Sequence, residues 1–331
     1  MLSRVAESLY WLGRYLERAD NIARLLEASI EMMQDLDLET MEQVRSDWSP
    51  LAECLGLADF QPGNAQQKDR DSILEYLIFS QENQSSIVNC IRFARENARG
   101  MREQISAEMW EHLNHYYLWS RNTAGREWFA KSSFDFLEHI RNQSALFHGI
   151  AHGSMPRNNG WDFLQAGIFI ERAEKSTRFL DDELHLLSRV AQRDLTQWNA
   201  VLKSCSARQA YQQKYMAGVQ RRLVAELLLL DARFPRSVRF CVTRADHSLR
   251  LISGAPPFSF SNTAEQASGL LLARLSYGTV DEHLSPSLHQ SMDRLQCEIN
   301  DLHGAVHSFY FNQQNAAPMP ETDMWQHAAS Q

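Results

Sequence analysis

Lysine is scarce in this chain. Lys68, Lys131, Lys175, Lys203 and Lys214 are the only five among 33 basic residues, leaving 28 arginines. Glycine (14) and proline (9) are also few for 331 residues. So little turn chemistry argues against an all-β sandwich, which needs a turn about every ten residues. The five cysteines, Cys54, Cys90, Cys205, Cys241 and Cys297, are odd in number, scattered and never spaced C-x-x-C. That pattern excludes a disulfide framework and a cysteine zinc site, and points to reduced thiols in a cytoplasmic protein. The longest strongly apolar stretch, Leu227–Leu230, is far too short to span a bilayer. Arg4, Glu7 and Arg14 break up the N-terminal segment, so neither a signal peptide nor a membrane anchor is expected. The net charge is −8, so nucleic acid is not the expected partner. Phosphate-loop, dinucleotide-fingerprint and nucleophile-elbow motifs are all missing, and no cofactor is expected.

What is present reads as helix. The composition, 44% hydrophobic and 22% charged, is that of a globular chain. Leu2, Val5, Leu9, Leu12, Leu16, Ala19, Ala23, Leu26, Ile30 and Met33 step by three and four, the stripe of a long helix with one buried seam. Ser49-Pro50 starts a short helix. Gln61–Arg70 is polar and reads as a loop. Apolar spacing resumes from Asp71 to Phe79 and from Ile87 to Met101, and further helices are expected near 106–122, 124–149, 161–189, 194–231, 235–253 and 263–283. Ser285-Pro286 reads as the start of a last helix through Phe309. Alternation at period two is missing, so the fold class is all-α, a multi-helix bundle. Residues 1–311 are expected to form one helical domain, followed by a polar tail, 312–331, that frays.

The chain repeats itself. Leu16-Glu17-Arg18-Ala19-Asp20 recurs 154 positions later as Ile170-Glu171-Arg172-Ala173-Glu174. At the same spacing Gly13 matches Gly167, Arg24 matches Arg178 and Leu26 matches Leu180. Ser86-Ile87, Cys90-Ile91, Ala94 and Arg99 match Ser237-Val238, Cys241-Val242, Ala245 and Arg250, 151 positions on. Two ordered matches imply a duplicated unit with halves of about 1–150 and 151–311, too long a period for a short-repeat solenoid.

Gly13, Glu17, Asp20 and Arg24 share one stripe of a helix, as do Gly167, Glu171, Glu174 and Arg178. A mid-helix glycine costs about 0.5–1 kcal/mol relative to alanine, so its presence suggests close approach by a helix or ligand. A glutamate beside it is then partly buried and must be paired or protonated. Two readings follow. Asp20–Arg24 and Glu174–Arg178 are ordinary pairs one turn apart, and Glu17 and Glu171 each pair with an arginine of another helix to fix register. Alternatively, the two Glu-Arg pairs face a shared cleft, arginines holding an anion while a carboxylate binds an amine or acts as general base. The histidine pairs 112/115, 148/152 and 303/307 have chelating spacing but no H-E-x-x-H or paired Glu-x-x-His pattern, and no metal is assigned. Gly149, Gly153 and Gly160 suggest a loop around His148 and His152. Trp110, Tyr116, Tyr117 and Trp119 read as core or interface.

Over Leu9–Asp20 the sequence resembles the bacterial alpha-E family, an all-helical family named for its Glu-Arg motif. The resemblance continues through Ala94–Arg99, Met109–Glu111, Gly160–Leu164, Ile170–Glu174 and Pro235–Val238, and extends to about residue 311. Members of the family sit beside, or are fused to, circularly permuted ATP-grasp proteins, and transglutaminase-like proteins are frequent neighbours. The resemblance therefore implies an accessory role in an ATP-dependent carboxylate–amine ligase system that makes or tailors a peptide-like product. Its candidate catalytic residues are Glu17 and Glu171. Arg18 and Arg172 would bind ligand, with Arg95, Asn97, Arg99 and Arg236 as a second ring around a peptide-like or small anionic ligand. A stand-alone enzyme using the same carboxylates and a purely structural adaptor are the alternatives. Ile168 stands where the first copy has Arg14, and Gln84 where the second has Pro235, so the halves are not chemically equivalent.

Overall fold

The computed structural model describes residues 2–36, 44, 48–55, 69–121, 123–181, 194–256 and 259–312. Among them are helices and connecting turns but no strand. The first half holds α1 (Ser3–Gln34), α2 (Ser49–Cys54), α3 (Arg70–Ile78), α4 (Ile87–Arg99), α5 (Ala107–Arg121), α6 (Thr123–Lys131) and α7 (Ser133–Ser154). The second holds α8 (Asn159–Leu180), α9 (Asp194–Ser204), α10 (Arg208–Tyr215), α11 (Arg221–Leu230), α12 (Val238–Ser253), α13 (Thr263–Tyr277), α14 (Val280–Leu284) and α15 (Leu288–Val306). No helix among the described residues is long and apolar enough to cross a membrane. The expected polar tail and the loop before Asp69 lie outside the described residues, except for Asn312.

Helix starts follow side-chain caps. Asp69, Ser86, Ser132, Asn158, Ser237, Asn262 and Ser287 each accept a hydrogen bond from a backbone N–H of the first turn. These caps correct several expected spans. The helix expected over 124–149 breaks at Ser132, which caps α7. The span 194–231 is three helices, interrupted where Ser206 and Met216 adopt left-handed backbone. The span 263–283 is two, because Thr279 and Glu282 form a capping box that starts α14. The last helix starts at Leu288 with Ser287 as its cap, two residues beyond the expected Ser285. Gly149 and Gly153 sit inside α7 rather than in a loop. A Cβ on either would meet nothing within 4 Å, so both lie on an open helix face.

The core is one cluster that draws apolar residues from both halves. At its centre α1 crosses α8 in the most extensive pairing of the fold. α4, α7 and α9 pack on α1, while α12 and α15 pack on α8. The α1–α8 crossing is set by two glycines. A Cβ on Gly13 would stand 2.5 Å from the Leu164 carbonyl oxygen, and one on Gly167 would stand 2.1 Å from the Tyr10 carbonyl oxygen. Each backbone therefore rests against the other at the point where it lacks a side chain.

This contact predicts opposite effects for two chemically identical substitutions. Gly167→Ala pushes a methyl into rigid backbone and is expected to destabilise by about 1–3 kcal/mol or more. Gly149→Ala, on an open helix face, should stabilise by about 0.5–1 kcal/mol. Urea denaturation of both variants checks this, and equal effects would contradict the crossing.

Candidate functional site

One turn beyond the glycines, the two motif carboxylates exchange arginines. Arg172 donates from Nε and Nη2 to Glu17, both at 2.7 Å. Arg18 donates from Nε and Nη2 to Glu171, at 2.7 and 2.9 Å. Each pair is bidentate, the planar fork that lysine cannot form. Both glutamates are 0% exposed. The outer ends of the arginines are held too: Arg18 Nη1 donates to Ser85 Oγ and Arg172 Nη1 to the Pro235 carbonyl, both at 3.4 Å.

Further cations complete each centre differently. Arg236 lies 3.3 Å from Glu17 and donates to Asp20 and Asn21 at 2.6 Å. Glu171 instead receives Arg14 Nε at 2.7 Å, with Lys175 at 3.8 Å. Lys175 also donates to Glu174 at 3.2 Å. The expected one-turn pairs Arg24–Asp20 and Arg178–Glu174 both form, at 2.7 Å. Arg14, Arg18, Arg24, Arg172, Lys175, Arg178 and Arg236 thus surround four carboxylates, Glu17, Asp20, Glu171 and Glu174.

The electrostatics follow from this excess of cations. Burial alone would raise the Glu17 carboxyl, but Arg172 and Arg236 hold it well below the usual range. Burial likewise opposes ionisation of Glu171, and Arg18, Arg14 and Lys175 overcome it. Glu174 is lowered in the same way, against burial, mainly by Lys175. Burial also lowers the adjoining histidines. His148 has Nε2 3.7 Å from Glu17 Oε2 and is lowered chiefly by desolvation. His303 Nδ1 lies 2.9 Å from the Tyr10 hydroxyl; burial, then Arg14, push its pKa down to about 3. Burial pushes the Tyr10 phenol up to about 12.

The structure therefore brings together Glu17, Arg18, Glu171, Arg172 and Arg236. It does not bring Arg95, Asn97 or Arg99 to them. α4 buries Ile87, Cys90, Ile91, Ala94 and Ala98, which leaves those three off its packed face. Arg95 donates to Asn114 at 3.3 Å and lies over the Trp110 and Tyr117 rings. Asn97 bonds back to the Phe93 carbonyl, and Arg99 is largely exposed beside Glu96. The sequence reading did not place Arg14, Asn21, Lys175 or His148 in the network. Arg14 and Asn21 lie three residues before and four after Glu17, and Lys175 lies four after Glu171, so helical spacing carried that signal for these three.

A carboxylate held far below neutrality, with both oxygens already engaged, is a weak base. What this geometry does well is fix the register of two helices. Fold and site together define an all-α protein organised about a buried helix crossing whose two glutamates are neutralised by each other's neighbouring arginine. Residues 1–311 match Alpha-E, described as a predicted alpha-helical domain with a conserved ER motif, and the chain belongs to that family. Similar proteins include an uncharacterised protein of Mycobacterium bovis and uncharacterised proteins from two strains of Mycobacterium tuberculosis. Each is 25% identical over 320 residues, covering 92% of this chain and 35% of the relative. The chain thus spans about a third of the length of these relatives. No solved structure matches it.

The shifted groups predict the direction of acid lability. Unfolded histidine titrates near 6.5 and unfolded glutamate at about 4.3. His148 and His303 have lowered values in the fold, so the unfolded chain binds more protons below about pH 6.5 and stability falls there. Glu17 and Glu171 contribute stability above about pH 4.3, which is lost as pH falls toward their depressed values. Melting temperature should decline from pH 6.5 to 5 and more steeply below 4.3. A melting temperature that rises or stays level from pH 7 to 4 would contradict these assignments.

Proposed function

We propose that this chain is a non-catalytic helical component of an ATP-grasp-dependent amide-ligase system. In this reading the Glu-Arg pairs hold the scaffold in shape, and the ligase or a peptide-like ligand binds on the outer surface. The observation that carries it is the full enclosure of Glu17 and Glu171, each occupied by an arginine from the other motif. The ligase association rests on the resemblance to alpha-E proteins found beside ATP-grasp and transglutaminase-like proteins. The length of the relatives supports a module that works alongside other parts of a larger assembly.

The reciprocal packing supports an internal duplication. Gly13 meets Leu164 as Gly167 meets Tyr10, and the two glutamates exchange arginines. Four of the five thiols, those of Cys54, Cys90, Cys205 and Cys241, are free and buried, in keeping with a cytoplasmic location. For an anionic, peptide-like ligand, the chemistry on offer lies outside the crossing. A surface pocket of about 490 Å³ is lined by Arg92, Arg121, Arg126, Tyr117, Ser120 and Phe79. Its guanidinium groups suit a carboxylate, and its aromatic rings suit an apolar side chain.

The test is co-purification of the tagged chain with its host's ATP-grasp protein, alongside melting curves. Glu17→Gln should lower the melting temperature while the folded fraction still captures the ligase. Arg92→Ala combined with Arg121→Ala should leave melting unchanged and weaken capture of ligase or peptide. A Glu17→Gln protein that melts like the parent yet abolishes pathway output would overturn the reading and assign the carboxylate to chemistry.

A further inference from the structure

Asp181 follows α8 directly, and His289 and Asp293 lie one turn apart near the start of α15. The chain separates the first two by 108 positions, but the fold brings them into contact. His289 Nδ1 stands 2.8 and 2.9 Å from the two oxygens of Asp181, whose side chain is fully buried. That contact assigns a proton to Nδ1, since the carboxylate can only accept. The other ring nitrogen, Nε2, then faces Asp293, with Oδ2 at 3.4 Å. One ligand atom from each of the three residues lies within 4.8 Å of the others.

The 3.4 Å separation is informative. A nitrogen–oxygen hydrogen bond is ordinarily about 2.7–3.2 Å. Two ligand atoms on a tetrahedral zinc, each about 2.0–2.1 Å from the metal, stand about 3.3–3.4 Å apart. A buried carboxylate behind the imidazole is also the arrangement that fixes the tautomer of metal-binding histidines and raises their basicity. The side chains of His289 and Asp293 are 29% and 57% exposed, so an ion and its waters have access.

We propose that His289 Nε2 and Asp293 bind a divalent metal ion, zinc by the chemistry of the ligands, with Asp181 as the positioning carboxylate and water completing the coordination. The ion would bridge one turn of α15, and the Asp181–His289 contact would join it to the end of α8, the helix that carries Glu171 and Arg172. This site is independent of the Glu-Arg crossing and of any ligase association. Sequence spacing does not reveal it, because only two of its three residues share a helix.

The test uses the full chain, stripped of metal with chelator and titrated with zinc chloride by calorimetry. The parent should take up one zinc per chain, with a higher melting temperature when loaded. Asp293→Asn changes an exposed side chain and should melt like the metal-free parent while binding zinc at least tenfold more weakly. His289→Gln should abolish stoichiometric uptake, and Asp181→Asn should weaken it about 10–100-fold. Absence of stoichiometric uptake, or uptake that Asp293→Asn leaves unchanged, would overturn the proposal.

Discussion

The fold depends on two charged residues being buried together at a place where two backbones touch. Gly13 and Gly167 let α1 and α8 approach so closely that each rests on the other's carbonyl groups. At that spacing Glu17 and Glu171 cannot reach water, and a buried carboxylate without a partner is costly. Arginines 172 and 18 supply the partners in bidentate geometry, each from the opposite helix. The glycines create the constraint, and the Glu-Arg pairs satisfy it only in one register. Such a pair contributes little over a well-packed apolar alternative, but breaking one side of it is expensive. Its value therefore lies in selecting a single crossing.

The excess of cations extends that logic outward. Arginine and lysine side chains from α1, α8 and the turn before α12 surround the four carboxylates, while burial keeps the adjoining histidines neutral and, against the pull of Arg14, keeps Tyr10 protonated. The centre is asymmetric in its sources: Arg236 serves Glu17, while Arg14 and Lys175 serve Glu171. The same electrostatic requirement has been met on the two sides by residues at unrelated positions. On both sides the glutamate is fully buried, with its oxygens engaged by the exchanged arginine.

Much of this was legible in the sequence, and the limits have physical causes. The stripe from Leu2 to Met33 gave α1 almost to the residue, since apolar periodicity is a local property. The repeated Gly-x-x-x-Glu-Arg pattern marked the right residues, and the mid-helix glycines correctly signalled close approach. Which arginine meets which glutamate was not readable, because it depends on the angle and register of the crossing. Arg95, Asn97 and Arg99 were drawn toward the site by motif proximity, yet α4 buries a different face. Gly149 and Gly153 looked like a loop but lie on an open face of α7, where glycine costs stability without ending the helix. The Asp181–His289 contact joins residues 108 positions apart and left no periodic trace.

The central claim, that the exchanged Glu-Arg pairs lock the α1–α8 crossing, is tested most directly by a double-mutant cycle on Glu17 and Arg172. Urea denaturation of Glu17→Gln, Arg172→Met and the combined variant gives their coupling free energy. The account predicts a coupling of at least about 1.5 kcal/mol, with the double variant more stable than the sum of the single losses implies. Losses that add within about 0.5 kcal/mol would show the two residues to be independent, and would contradict it.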